Sequence, residues 1–374
     1  MTLSFTDNFK FLISKAHMDL SQWLIIKNSN TIILMVWQRK WDIFILENLE
    51  NFISMAVMAL FHVVFLLVIG FIFLIYGAKF FCDSALHILR KFNINSAMVE
   101  IFLISIGTAA PDLVSTITAI LEDHPNIAMG NIVGSNFSNL ALGFGIASLV
   151  TPFKCNKRVV RVEFPLLVAL TIFFTSCCLR GQITRYASAI FLTTFVVYLL
   201  FPFFGKKSKN TSDKTCIDVE NFNPWSAKKS SAVFLSSIVF LTLGAHLVVT
   251  SCYHISNFFK ISETFIGFSL LALGTSAPEI FVVTTAAKQR HYTICSGNII
   301  GSNLLNLMLI TGLCTLIHPL YFAKGSFLVE TGALIFMTLA TWYIFAVKNV
   351  FSRKCGLMCL GTYFLVVFFL HKSI

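Results

Sequence analysis

Along most of the chain the hydrophobic positions neither alternate nor stripe one helical face. They run on for about 20 residues at a time, separated by short polar links, which is the length one helix needs to cross the hydrocarbon of a bilayer. Ten such runs can be marked, at about 56–76, 97–121, 127–150, 164–180, 186–204, 232–251, 264–287, 294–317, 326–347 and 355–371. The pattern therefore predicts an all-α integral membrane protein of about ten transmembrane helices. One long polar stretch, "GKKSKNTSDKTCIDVENFNPWSAKKSS" at 205–231, divides these runs into five and five. The predicted organisation is an extension over 1–55, a first repeat over 56–204, a linker over 205–231 and a second repeat over 232–374. In the extension, Thr31–Trp37 is too short to span, and no small-residue cleavage site follows a proper hydrophobic core. It reads as an interfacial segment, or as sequence ahead of a true start at Met55 or Met58.

Two of the runs carry a fault. "GTAAPDLVSTITA" (107–119) puts Gly107, Pro111 and Asp112 in the middle of a span, and "GTSAPEIFVVTTA" (274–286) does so again with Gly274, Pro278 and Glu279. Each pair is 167 residues apart, as are Gly130-Asn131-Ile132 and Gly297-Asn298-Ile299. The match extends without a gap from Gly77-Ala78 and Gly244-Ala245 to Pro152 and Pro319. Apolar helices resemble one another by chance, but shared glycine, proline and asparagine at one fixed offset mark a duplication. Because five spans is an odd number, the second copy is expected to enter the membrane upside down. Inverted repeats with interrupted helices at matching positions point to the midplane site of a secondary transporter.

The faults have a chemistry. Proline has no N–H, so Pro111 and Pro278 leave the carbonyls of Gly107 and Gly274 without their helical donors. At membrane depth a free carbonyl is costly unless something uses it. Thr108 and Asp112 lie four apart on the same face as the freed carbonyl. Thr275 and Glu279 repeat the spacing, and Ser276 adds a hydroxyl. In the spans that follow, Asn131, Ser135 and Asn139 stripe one face, as do Asn298, Ser302 and Asn306. Gly130 with Gly134, and Gly297 with Gly301, are small-xxx-small pairs that let helices approach. Prolines, glycines and single amides often serve only packing in membrane helices. Carboxylates do not, because each costs roughly 2.5–3.5 kcal/mol to insert. The collected donors are all oxygens, which suits hard cations such as Ca²⁺ and Na⁺. Two carboxylates balance one Ca²⁺ or two Na⁺.

Composition sharpens this reading. The 374 residues are 56% hydrophobic and 12% charged, include 40 phenylalanines, and have a mean hydropathy of +0.80. The net charge of +11 does not imply nucleic acid, since the basic residues occupy short loops between apolar runs. They are biased to alternate loops, with 205–231 on the rich side, which predicts a cytoplasmic linker. The ten cysteines form no C-x-x-C, and several lie inside apolar runs, so they read as small apolar residues. The sequon at Asn210 is expected to be unused. His124 and His291 match across the repeat and are expected to be solvated loop residues. Glu100, Glu163 and Glu330 lie near span ends and are expected to reach the interface.

The pair "GTAAPD…GNIVGSNFSN" and "GTSAPE…GNIIGSNLLN" resembles the two alpha-repeats of the cation/Ca²⁺ exchanger superfamily, most closely those of bacterial sodium/calcium exchangers. The resemblance covers nearly everything from about residue 56 onward. It implies a ten-helix inverted-repeat fold with alternating access, exchanging several Na⁺ for one Ca²⁺, in a bacterial inner membrane. It also implies that Asp112 and Glu279 bind Ca²⁺ directly, that Thr108, Thr275, Ser276, Ser135 and Ser302 line sodium sites, and that Asn139 and Asn306 complete the polar cluster. The only expected ligands are the transported ions, with no cofactor and no nucleic acid, and the bilayer is the surrounding partner.

The sequence departs from the usual family form at three positions. Ala109 stands where a serine is usual, Asp112 where most bacterial members carry glutamate, and Asn306 where several sodium/calcium exchangers carry aspartate. A proton-coupled or other divalent-cation antiporter of the same superfamily is the alternative reading. A multipass membrane enzyme is the distant one, as neither an H-E-x-x-H nor a rhomboid-type Ser/His pair is apparent in the sequence.

Overall fold

The structure is a computed structural model and describes residues 54–55, 57–81, 83–84, 87, 97–204 and 225–372. Most of the predicted extension and of the 205–231 linker, including the Asn210 sequon, lies outside the described residues. The chain divides into two compact units, Met1–Phe61 and His62–Ile374. Of the first, only helical residues near its end are described, and the second holds nearly all of the described helices.

The described secondary structure is almost all helical, and its helices coincide with the predicted apolar runs. They are α1 (Val57–Phe81), α2 (Ala97–Leu121), α3 (Pro125–Val150), α4 (Val159–Leu179), α5 (Arg185–Phe204) and α6 (Ala227–Phe259), followed by a bent pair, α7 (Glu263–Thr275) and α8 (Ala277–Lys288), then α9 (Ile294–Ile317), α10 (Leu328–Lys348) and α11 (Arg353–Lys372). Seven of these are long and apolar enough to cross a membrane, and the bent pair taken as one span makes eight. The protein is thus an integral, multi-pass, all-α membrane protein. Its outer surface agrees: side chains such as Phe61, Phe281, Phe336, Met358 and Phe364 are largely exposed, as lipid-facing residues are.

The most apolar helices are not the most buried ones. The windows of α3 and α9 have mean hydropathy of 1.3 and 1.7 and are 89% and 83% buried, whereas α1 reaches 2.9 and is 17% buried. In a bilayer the polar helices go to the centre, where protein rather than lipid can satisfy them.

The two halves pack on each other reciprocally. α3 lies along α7, and a Cβ on Gly134 would stand 2.7 Å from the Cβ of Ala272. α9 lies along α2, and a Cβ on Gly301 would stand 2.9 Å from the Ser105 hydroxyl. Gly134 is the repeat partner of Gly301, and Ala272 of Ser105, each 167 residues apart. The loops follow the same rule. After α3, Phe153 bridges to Phe351 between α10 and α11. After α9, Leu320–Tyr321 (β2) pairs antiparallel with Gln182–Ile183 (β1), between α4 and α5. The turns at Asp123 and Arg290, also 167 apart, share a left-handed backbone with φ of 63° at each.

Candidate ion site

The site forms where the four motif segments meet. α2 brings Thr108 and Asp112, α3 brings Asn131, Ser135 and Asn139, the α7–α8 junction brings Thr275, Ser276 and Glu279, and α9 brings Asn298, Ser302 and Asn306. All are buried, and the two carboxylates are 1% exposed for Asp112 and 0% for Glu279.

Asp112 is held from both halves. The Ser135 hydroxyl donates to Oδ1 at 2.8 Å, and the Asn306 amide Nδ2 donates to Oδ2 at 2.9 Å. Glu279 is different, because neither of its carboxylate oxygens has a hydrogen-bond partner. Nor does the hydroxyl of Ser276 or Ser302, either side-chain end of Asn139, or the side-chain oxygen of Asn306. A buried carboxylate without a donor is expensive unless a cation or proton meets it. The unpartnered set is almost wholly oxygen, and those oxygens are acceptors suited to a hard cation that sheds its water. Among the described residues, no three His, Cys, Asp or Glu side chains gather to hold a resident metal.

The threonines tie the halves reciprocally. The Thr275 hydroxyl lies 3.2 Å from the Asn131 amide oxygen, and Thr108 lies 3.5 Å from that of Asn298. Each is one repeat's threonine against the other repeat's asparagine. Thr275 also approaches the Leu271 carbonyl at 3.0 Å, and Thr108 the Ser105 carbonyl at 3.3 Å.

The two proline faults fold differently. α2 runs unbroken through Pro111, so the predicted interruption is not a break in the first half. In the second half a π-helical turn over Gly267–Leu271 leads to Ser276, where the axis bends by 45° between α7 and α8. Pro278 then sits in the first turn of α8, where its missing N–H costs nothing. Further π turns begin at Asn139 (Asn139–Gly143) and Asn306 (Asn306–Ile310), the last asparagine of each polar stripe. A π turn widens the helix by one residue and re-aims the side chains on it.

Several participants escaped the sequence reading. Thr116, four residues after Asp112, donates to the Asp112 backbone carbonyl at 2.6 Å and accepts from the Asn131 amide at 2.9 Å. Its repeat partner is Val283, so Asn298 Nδ2 is left without an acceptor. Asn136 and Asn303 lie off the predicted stripe, yet both are fully buried at the crossing of α3 and α9. The i+4 spacing was a legible signal for Thr116, and the repeat itself was one for the asparagine pair.

His124 is not a free loop residue. It stacks on Tyr253 with ring centroids 4.2 Å apart and lies 3.4 Å from Glu263. Beside it Glu122 pairs with His246 at 2.5 Å. Glu163 lies 3.7 Å from Arg158, and Glu330 is 8% exposed in the first turn of α10, while the Glu100 side chain lies outside the described residues.

Comparison with known proteins agrees with this geometry. The sodium/calcium exchanger protein family model matches twice, over residues 62–204 and 229–372. The two matches begin 167 residues apart (229 against 62), the same offset as the motifs. A sodium/calcium exchanger of Methanosarcina acetivorans, MaX1, is 27% identical, with 81% of this chain and 97% of that protein aligned. The inner membrane protein YrbG of Escherichia coli is 29% identical over 68% of this chain and 79% of its own length. Among solved structures, the sodium-calcium exchanger NCX_Mj soaked with 10 mM Na⁺ superposes with a TM-score of 0.57 at 25% identity, covering 82% of this chain and 98% of that one. With both halves matched by the family model and the paired motifs meeting at one buried polar centre, the chain belongs to the sodium/calcium exchanger family of multi-pass membrane antiporters.

Proposed function

We propose that the protein is a secondary active antiporter that exchanges Na⁺ for Ca²⁺ by alternating access. Its ten helical segments form two inverted five-helix repeats, counting α7 and α8 as one span. The observation that carries this reading is the pair of repeat-related carboxylates buried at the meeting of the four motif segments, with the oxygens of Glu279 left unmet by any donor. In this reading Asp112 and Glu279 contact Ca²⁺ directly. Thr108, Ser135, Thr275, Ser276 and Ser302 present hydroxyl oxygens to Na⁺. Asn139 and Asn306 turn amide oxygens inward, and Asn306 does so while its nitrogen stays on Asp112.

Sodium and calcium compete because both carboxylates serve both loads. Two negative charges suit one dehydrated Ca²⁺, and emptying the site of calcium requires that other cations replace that charge. Asn306 contributes a dipole rather than a third acid, which leaves the site charge at −2. The basic bias of alternate loops supports a cytoplasmic position for the 205–231 linker.

The test is ⁴⁵Ca²⁺ uptake into proteoliposomes holding the purified protein, with an outward Na⁺, K⁺ or H⁺ gradient imposed in turn. Uptake is expected with the sodium gradient. Uptake driven by protons and indifferent to sodium would instead establish the proton-coupled reading. With more than two Na⁺ per Ca²⁺, net charge moves and an imposed membrane potential changes the rate.

A further inference from the structure

The serine of each GSN motif faces the site, and the asparagine beside it does something else. Asn136 on α3 and Asn303 on α9 are repeat partners, 167 residues apart and 0% exposed, yet they adopt different arrangements. Asn303 Nδ2 crosses to the other half and donates to the backbone carbonyl of Asn136 at 3.0 Å. Asn136 Nδ2 stays on its own helix and donates to the carbonyl of Ile132 at 2.7 Å. Both acceptors are carbonyls, so the nitrogen ends are fixed by chemistry and not by choice of amide flip. The side-chain oxygens of both residues have no partner.

This arrangement has an equivalent twin. If the two residues traded roles, Asn136 Nδ2 would donate to the Asn303 carbonyl, and Asn303 Nδ2 to Ile299, the repeat partner of Ile132. The count is unchanged by the trade, with one bond across, one bond at home and two unmet oxygens. Neither residue is fully satisfied in either form, so neither form is locked by its hydrogen bonds. The cross-bond also lands beside the chemistry. Asn136 follows Ser135, the donor to Asp112, and Asn303 follows Ser302.

We propose that Asn136 and Asn303 form a reciprocal latch across the α3–α9 crossing, with one donor engaged in each of the two facing states of the transporter. The proposal rests on the inverted-repeat, alternating-access reading above. In an inverted repeat, reorientation exchanges the conformations of the two halves. The donor that reaches across in one state should therefore be the one that stays home in the other. The two residues are positioning residues, acting on how α3 and α9 present Ser135 and Ser302, and the latch biases two states of nearly equal energy.

The test uses the full chain with its ten native cysteines replaced and a single reporter, Ser276→Cys, at the site. Labelling rates with a membrane-impermeant thiol reagent are measured from each face in oriented vesicles, with no transported ion required. Serine is the informative replacement at 136 and 303, because it bonds its own helix at i−4 and cannot reach across. Asn303→Ser should deplete the state described here, and Asn136→Ser should deplete its opposite. The ratio of labelling from the two faces should therefore move in opposite directions, by about threefold each, the weight of one interhelical hydrogen bond in a membrane. The double variant should return close to the starting ratio. Shifts in the same direction, or a double variant that keeps the ratio of one single variant, would overturn the latch and leave the pair as helix glue. If Asn303→Ser does not accumulate, Asn303→Ala removes the same cross-bond and makes the same comparison. Should the parent label from one face only, alternating access itself fails, an outcome distinct from failure of the latch.

Discussion

Helix α2 and the pair α7–α8 begin from nearly the same sequence and end with different backbones. One runs straight through its proline, and the other bends at Ser276 just ahead of it. Their carboxylates follow suit. Asp112 is gripped by donors from both halves, while Glu279 meets none. Some of this difference is written in the chain: Ala109 against Ser276, Asp112 against Glu279, Thr116 against Val283. The rest cannot be, because Ser135 and Ser302, or Asn139 and Asn306, are identical residues in different engagements. What sequence does not distinguish, conformation does. Under the alternating-access mechanism proposed above, such differences are the trace of one state among two.

The comparison can be broken most directly at the carboxylates. Asp112→Asn and Glu279→Gln should each reduce sodium-driven ⁴⁵Ca²⁺ uptake to background at matched expression, because a dehydrated Ca²⁺ would face a single negative charge. Near-normal uptake by either would mean the centre lies elsewhere. Asp112→Glu should keep measurable uptake with altered calcium affinity, since calcium tolerates variable ligand number and bridging water.

The glycine contacts come next. A Cβ on Gly134 would stand 2.3 Å from the Phe268 carbonyl oxygen, which is backbone and cannot yield, whereas on Gly301 it would meet only the Ser105 side chain at 2.9 Å. Gly134→Ala should destabilise the fold by about 1–3 kcal/mol and Gly301→Ala by clearly less, read from thermal unfolding in detergent. Equal losses would argue that the two interfaces are equally tight.

A smaller effect separates the asparagines. Asn306→Ala removes a donor to a charged carboxylate, a bond of roughly 1.5–3 kcal/mol. Apparent calcium affinity should fall about tenfold and more than in Asn139→Ala, where no hydrogen bond is lost. Equal shifts would show that the asymmetry is averaged out during turnover.

Smallest is the Thr116–Val283 difference. Thr116→Val orphans the Asn131 amide and should cost about 1 kcal/mol of stability. Val283→Thr offers Asn298 an acceptor and should gain about 0.6 kcal/mol, both by the same unfolding measurement. A loss from both would show that position 283 is set by packing rather than by the missing acceptor.

Much of the fold was legible because a bilayer simplifies the code: an apolar run of sufficient length has few alternatives to a helix. The runs at 97–121 and 294–317 end where α2 and α9 end. That the motif residues would gather at one buried polar centre was legible too, since buried carboxylates need a reason and the repeat named their companions. Three things were not. Proline removes one hydrogen bond in both halves, but whether the helix then bends depends on its neighbours, here a π turn ahead of Ser276 and the Phe71 ring against Gly274. His124 looks like a solvated loop residue in sequence because its partners, Tyr253 and Glu263, are more than a hundred residues away. Asn136 and Asn303 break the i, i+4, i+8 stripe, a rule that finds one face of a helix and is blind to the face that packs.

The π turns at Asn139 and Asn306 also carry history. Each holds five residues, and each begins at the same place in its half. A widened turn is the local record of an extra residue in an otherwise regular helix, and two such records in register are simplest as one event copied. The turn is then older than the divergence of the two copies. The fused protein inherited the feature twice, while later substitutions such as Asp112 against Glu279 arose separately in each copy.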